Sequence, residues 1–262
     1  MTGLPPVATL WIGDRLRWID RLALASFRHH GHEVTLYHAG DEAPGGTEGI
    51  ACRPATDVAD VDALLGKFAP AVVSDMFRYA LMRQTPAIWV DTDVLCLRPL
   101  QPDAEGYLAG YEDGGWINGA VLRLPPDSAA LGLLLDGIDD AALVPGWLPP
   151  VLAARVMEKR PRFRLIEACR LAPNILGPQA LTQLLRQTGE DAHALPQSAL
   201  NPLPWYHAEV AFNPHGGVAG WLGPDTRVLH LYASRLRKPH LRRRPPSGSF
   251  IADLATAIGF TE

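Results

Sequence analysis

The stretch AVVSDMFRYALMRQTPAIWVDTDVLCL, residues 71–97, decides the fold. Its first half repeats apolar residues at helical spacing, Val73, Met76, Phe77, Ala80 and Leu81, and sets Asp75 and Arg78 one turn apart on the other face. Its second half, Ala87–Val90, is a short unbroken apolar run, as expected of a strand buried on both faces. That strand leads directly into Asp91-Thr92-Asp93, and a second apolar run, Val94–Leu97, follows.

Upstream, residues 6–12 form another short apolar run. Leu16, Ile19, Leu22, Ala23 and Phe27 then recur at helical spacing with Gly31 as a stop, and Glu33–Tyr37 alternates as a second strand. Strand, helix and strand in about 35 residues predict a βαβ unit with parallel strands. Residues 39–56 read as a loop and 57–68 as a short helix. Downstream, strands are expected at 107–111, 118–124 and 228–232, and helices near 128–136, 150–158 and 178–187. No linker divides the chain. The expected architecture is α/β, a Rossmann-like mixed sheet flanked by helices, as one domain over 1–234 with a variable acceptor-side region. A basic tail and short helix follow at 235–262.

The chain has 262 residues, of which 47 % are hydrophobic and 20 % charged, so it carries enough apolar surface to fold and is not disordered throughout. Its 24 glycines and 24 prolines predict many turns and irregular segments. The net charge of −4 argues against a nucleic-acid binder. It is a sum of unlike parts: residues 235–244 hold six positive side chains and no acid, leaving −10 on the remainder. Three separated cysteines without a C-x-x-C pair point to neither a disulfide framework nor a zinc site. The opening residues lack a basic segment followed by a long apolar one, and no apolar run is long enough to span a bilayer. A cytoplasmic protein is expected.

Asp91 and Asp93 carry the chemistry. Strand periodicity of two would point both carboxylates the same way from the carboxyl end of a buried strand, where open α/β sheets bind ligands. Converging carboxylates need positive charge between them, and an all-oxygen set suits Mg²⁺ or Mn²⁺. By itself D-x-D is equally the pattern of a solvated turn. Likewise, His230 in VLHLY reads as a core histidine or a ligand, and Trp11 as core or a stacking platform. Trp205, Tyr206, Trp221 and Tyr232 would be core residues or the lining of an acceptor cleft. His29, His30, His32 and His38 cluster early, the first pair at a helix end where positive charge suits the helix dipole.

In its spacing of Asp75 and Arg78 to Asp91 and Asp93, the chain resembles the DXD-containing glycosyltransferase sugar-binding region family. That family includes capsule and lipopolysaccharide enzymes and yeast-type α-mannosyltransferases, and is distantly similar to the glucosylating clostridial toxins. The matching stretches are WIG at 11–13, SFRHHGHEVTLY at 26–37, SDMFRYALM at 74–82, WVDTDVLCLRPL at 89–100, INGAVLRLP at 117–125, GPQALT at 177–182 and VLHLY at 228–232, in the family's order.

The resemblance implies a GT-A type fold and a metal-dependent, retaining transfer from a nucleotide sugar, a UDP-sugar, to a glycan or lipid-linked acceptor. Residue by residue, it implies that Trp11, with Ile12 beside it, stacks on the donor's base. Asp75 and Arg78 would bind the donor sugar, Asp91 the ribose or sugar, and Asn118 would lie near the reacting face. Asp93 and Asp91 would hold the metal, with His230 as a third ligand. The family commonly has a Gly-Gly pair where this chain has Thr85-Pro86-Ala87, a departure at the strand's entry. Retention by double displacement needs a nucleophilic carboxylate, for which only Glu112 and Asp113 are spare nearby. A front-face route needs none and is the expectation. The basic run at 235–244 would meet phosphate, the donor's or that of an anionic membrane at the inner face. Two other functions compete: a catalytically silent nucleotide-sugar-binding partner, and a basic-tail module binding membrane or nucleic acid.

Overall fold

A computed structural model describes residues 3–236 and 244–261. The chain begins with β1 (Val7–Trp11), α1 (Trp18–His29), β2 (Val34–His38) and β3 (Ala51–Pro54), then α2 (Val61–Leu65) and α3 (Pro70–Gln84). Next come β4 (Ile88–Val90), β5 (Val94–Cys96), β6 (Leu108–Tyr111), β7 (Ile117–Arg123) and α4 (Ala129–Asp139). The remainder is α5 (Pro150–Met157), α6 (Arg164–Leu171), α7 (Pro178–Thr188), β8 (Ala194–Leu195), α8 (Gln197–Leu200), β9 (Val228–His230) and α9 (Phe250–Ala257).

Seven strands form one mixed sheet in the order β3-β2-β1-β4-β7-β6-β8, and β5 pairs with β9 in a separate antiparallel ribbon. The expected α/β architecture is present: β1 lies parallel to both β2 and β4, with α1 and α3 as the crossovers. Strand order reverses at β1, whose neighbours on its two sides are β2 and β4. The carboxyl ends of β1 and β4 therefore flank the crevice where such sheets take ligands. Beyond β4 the pairing turns antiparallel, through β7 and then β6.

Local chemistry explains the elements around that crevice. In α1, Ile19, Leu22, Ala23 and Phe27 are buried along one stripe, and Asp20 at the third helical position accepts the Arg17 backbone N–H at the helix start. Pro70 opens α3 in the one turn that tolerates it, and Gly31, at φ +90°, takes the chain out of α1. Burying a side chain the size of those in the α1 stripe stabilises by ~1.5–3 kcal/mol each, which fixes the helices on the sheet.

Several expectations need correction. The segment read as a loop at 39–56 contains edge strand β3, whose mostly exposed Ala-Cys-Arg-Pro sequence carries no apolar alternation to mark it. Residues 57–68 form only the five-residue α2, capped by the Asp60 carboxylate, because Gly66 follows at once. The last strand stops at His230, where Leu231 donates instead to the Asp93 carbonyl. Helix α6 is not among the expected helices, although Leu165, Ala168 and Cys169 are buried at helical spacing within its short polar segment. Of the basic run at 235–244, residues 237–243 lie outside the described residues. The cysteines are free, and among the described residues no helix is long and apolar enough to cross a membrane.

Candidate functional site

Asp91 and Asp93 converge, but not by strand alternation. β4 ends at Val90, and Val94 N–H folds back to the Asp91 carbonyl at 3.2 Å, so the two carboxylates stand on a turn. The turn is needed because the chain leaves the main sheet there, entering the ribbon in which Val94 pairs with His230. The same ribbon register brings the late histidine to the turn. One donor atom from each of Asp91, Asp93 and His230 lies within 4.8 Å of the others.

The turn is stitched on every side. Asp91 N–H donates to the Ala120 carbonyl on β7 at 2.7 Å, and Leu231 N–H to the Asp93 carbonyl at 3.0 Å. Ala233 N–H donates to Asp93 Oδ2 at 2.6 Å, leaving Oδ1 facing His230 Nε2 at 3.5 Å. The Thr92 hydroxyl donates to Asp20 on α1 at 3.0 Å. Asp91 Oδ1 accepts from the Trp89 indole at 2.7 Å and from Arg78 at 3.3 Å.

Arg78 is buried between two carboxylates, 3.3 Å from Asp75 and 3.3 Å from Asp91, and lies over the Trp89 ring at 5.0 Å. The helical face that appeared polar in the sequence is thus buried, aimed at the crevice. Two glycines make room for the charges. A Cβ at Gly119 on β7 would collide with the Arg78 guanidinium, and one at Gly177 would come within 2.8 Å of Asp75 Oδ2.

Burial works against the charges on this ladder and their neighbours work for them. Desolvation pushes the Asp75 carboxyl up to about 6, against the pull of Arg78. Arg78 also meets a burial penalty, but Asp91 and Asp75 hold its pKa above the ordinary arginine value. Burial opposes ionisation of Asp93, yet His230, the Ala233 amide and Arg17 bring it below the usual carboxylate range. Burial alone would lower His230, and Asp93 outweighs it and raises the imidazole above its ordinary value.

These residues line a cavity of about 620 Å³, within the range of small-molecule sites. Asp75, Arg78, Asp91, Asp93, Asn118 and His230 all reach it. Trp11 and Ile12 do not. They close β1 outside the lining, where Trp11 has Arg17 over its ring at 5.8 Å and its indole N–H unpartnered. Asn118 holds a fixed orientation: its Nδ2 donates to Glu112 at 2.7 Å and its Oδ1 accepts from Ala120 N–H at 2.7 Å. Burial, partly offset by Asn118 and His230, raises the pKa of Glu112.

Sequence reasoning missed two contributors, Arg17 and Asp20, and left Tyr232 between core and the lining of an acceptor cleft. Tyr232 stacks on His230 with centroids 3.8 Å apart and shares a hydrogen bond with Glu112. At φ +47° it is the one non-glycine with positive φ among the described residues, a strained backbone held in place beside the triad. Arg17 lines the cavity, clamped by Asp20. The Arg-x-x-Asp spacing at a helix start was the available signal for that pair. Of the early histidines, His32 is a satisfied core residue, its two ring nitrogens facing the Pro5 carbonyl and the Leu100 N–H. Trp205 and Tyr206 are exposed, at 44 % and 54 %, and Trp205 stands at the cavity mouth. Thr85 and Pro86 sit at the entry of β4, at the opposite end of the strand from Asp91.

The donor set could hold a divalent cation. Two carboxylates supply hard oxygens and one imidazole supplies the nitrogen that Mn²⁺ accepts more readily than Mg²⁺.

No family model and no curated protein sequence matches the chain. Among solved structures it is similar to the PaToxG glycosyltransferase, at 15 % identity over 72 % of this chain and 71 % of that one, with a TM-score of 0.44. At that overlap nothing is transferred from the one protein to the other. The family resemblance stands on the quoted motifs alone.

Proposed function

We propose that the chain is a metal-dependent, retaining glycosyltransferase that moves a sugar from a UDP-sugar to a glycan or lipid-linked acceptor. One observation carries the reading: Asp75, Arg78, Asp91, Asp93, Asn118 and His230, spread over more than half the sequence, line a single cavity at the sheet's switch point. The motif spacing that resembles the DXD family supports it from a separate direction.

In this reading Asp91, Asp93 and His230 hold Mn²⁺ or Mg²⁺, which when bound supplies positive charge for the diphosphate of the departing nucleotide. Asp75 and Arg78 orient the donor sugar's hydroxyls. Their ladder is buried and already paired, so it offers hydrogen bonds without reorganising as charge develops. Asp91 keeps Oδ1 on Trp89 and Arg78 and presents its other oxygen to donor or metal. Asn118 fixes Glu112 beside the reacting face.

Glu112 makes a poor nucleophile. It is held by Asn118 and Tyr232, and burial disfavours its charged form. Asp113, the other spare carboxylate, is exposed and outside the cavity lining, which favours the front-face route: the acceptor oxygen bonds the anomeric carbon on the face from which the diphosphate leaves, and the acceptor's proton passes to the departing phosphate oxygen. Trp205 and Tyr206 offer exposed ring faces for the acceptor, and Trp11 with Ile12 remains our assignment for the base. The basic run at 235–244 is assigned to phosphate, the donor's or an anionic membrane's.

The test is thermal stabilisation by UDP-, GDP- and CMP-sugars with and without Mn²⁺, followed by turnover. A donor at 100 times its dissociation constant stabilises by about 2.7 kcal/mol. UDP-sugars with Mn²⁺ are expected to stabilise most, with transfer or slow donor hydrolysis abolished by chelator. Stabilisation without turnover makes the chain a silent donor-binding partner. No response to any nucleotide, or full turnover in chelator, overturns the proposal.

A further inference from the structure

The cations that line the cavity are unequal in what they have left to give. Arg78 is buried and divided between Asp75 and Asp91. Arg235 lies over the Trp205 ring at 4.6 Å, at the mouth. Arg17 also lies over an aromatic ring, that of Trp11 at 5.8 Å, but unlike Arg235 it is held by a buried carboxylate beside the acidic turn. Its side chain is 36 % exposed, and Asp20 grips one edge of the guanidinium, Nε at 2.8 Å and one terminal nitrogen at 2.7 Å. Its other terminal nitrogen, Nη1, has no protein hydrogen bond among the described residues, although the side chain lines the cavity that holds the acidic triad.

Asp20 is itself fully buried. Its two oxygens accept from Arg17 N–H, Arg17 Nε, Arg17 Nη2 and the Thr92 hydroxyl. A buried carboxylate satisfied by four donors is a fixed point, and everything bonded to it is fixed with it. Asp20 therefore locks the Arg17 fork and the middle residue of the Asp91-Thr92-Asp93 turn into one rigid unit. A guanidinium with one edge locked and one terminal nitrogen without a protein hydrogen bond, on a side chain that lines the cavity, offers the charge and the donor that a phosphate oxygen takes.

We propose that Arg17 is a direct, metal-independent anchor for the diphosphate of the bound nucleotide, with Asp20 as the positioning residue that aims it. The proposal rests on the nucleotide-sugar reading above and adds a second phosphate contact to it. It makes the diphosphate grip bipartite. One part is the metal held by the turn, and the other is the arginine held by the same buried carboxylate that ties down that turn.

The experiment is calorimetric binding of UDP, and of uridine as the phosphate-free control, to the full chain in Mn²⁺ and in EDTA. Arg17→Ala is expected to weaken UDP binding about tenfold or more, the loss of a charge-assisted hydrogen bond, and to leave uridine unchanged. The same factor is expected in EDTA, and Arg17→Lys is expected to recover part of it. In EDTA, where the turn holds no metal, Asp20→Asn is expected to weaken UDP binding by a similar factor, with no further loss in the double variant, since there Asp20 acts through Arg17 alone. Equal losses for UDP and uridine, a loss that vanishes in EDTA, or fully additive effects of the two substitutions in EDTA would overturn the proposal. Wild-type chain that binds UDP as tightly as Arg17→Ala does defeats this inference alone. Wild-type chain that binds no UDP under either condition defeats the nucleotide-sugar reading, and this inference with it.

Discussion

Two clusters in this protein bring the same kinds of side chain together. Asp91, Asp93 and His230 converge at the cavity floor, and Asp103, Glu105 and His193 converge on the surface, each set with donor atoms within 4.8 Å. They differ in what the donors already do. Asp103 Oδ1 accepts from the Glu105 and Tyr107 amides, and its Oδ2 meets His193 Nδ1 at 2.7 Å. His193 is stacked on Tyr107, rings 4.1 Å apart and within 10° of parallel. That cluster is a clasp: it pins the segment entering β8 to the loop entering β6, so that the short edge strand can pair. In the cavity set the Asp93–His230 contact is longer, 3.5 Å, and the buried His230 Nδ1 lacks a protein partner among the described residues. The cavity set keeps capacity at His230, whereas in the surface set Asp103 and His193 are already bonded to each other. Proximity of acids and histidines thus makes a ligand set only where the surrounding structure withholds other partners.

The largest effect that would test this contrast lies next to the buried triad. Replacing Arg78 with Met leaves Asp75 without its cation, which should cost roughly 3–5 kcal/mol of stability, read from urea unfolding near neutral pH. An unchanged unfolding midpoint would show that the ladder carries no such charge balance. Asp93→Ala should lower glycosyl-transfer turnover on the order of 10²–10³-fold and remove Mn²⁺ binding. Asp103→Ala should leave both intact, and equal losses from the two would erase the distinction between the clusters.

A smaller effect is set by His230. Its folded pKa is raised, so in the metal-free chain its stabilising contribution is complete below the ordinary histidine value and is lost as pH rises through the folded one. A cation must displace that proton, so Mn²⁺ affinity should strengthen with pH over the same interval, up to about tenfold per pH unit. Affinity flat from pH 5.5 to 8 would exclude His230 as a ligand. The smallest effect belongs to the clasp: His193→Ala should cost at most ~1 kcal/mol, measured by thermal unfolding, without changing Mn²⁺ affinity.

The site residues were legible because their spacing is local to elements that periodicity can read. Asp75 and Arg78 lie one helical turn apart, Asp91 and Asp93 flank one residue after a buried strand, and the apolar positions around them are unmistakable. His230 remained open between core and ligand, since only the pairing of β5 with β9 sets Val94 opposite it. The pairing of Tyr232 with Glu112 and of Asp20 with Thr92 gave no usable signal, because each joins segments far apart in the chain by side-chain contacts that no periodicity encodes. Edge strand β3 escaped for a different reason: mostly exposed, it shows no apolar pattern.

The sequence by itself determined the α/β class, the crossover helices, the buried strand and the residue types that carry the chemistry, since all of these follow from apolar period and short-range spacing. Only the tertiary structure decided that the two aspartates stand on a turn and that a late histidine completes them. It also showed that a helix face of apparent solvent-side charge is buried, and that Asp20 joins an arginine to the same turn. Those facts depend on strand order and long-range pairing, where distances along the chain carry no information about distances in space.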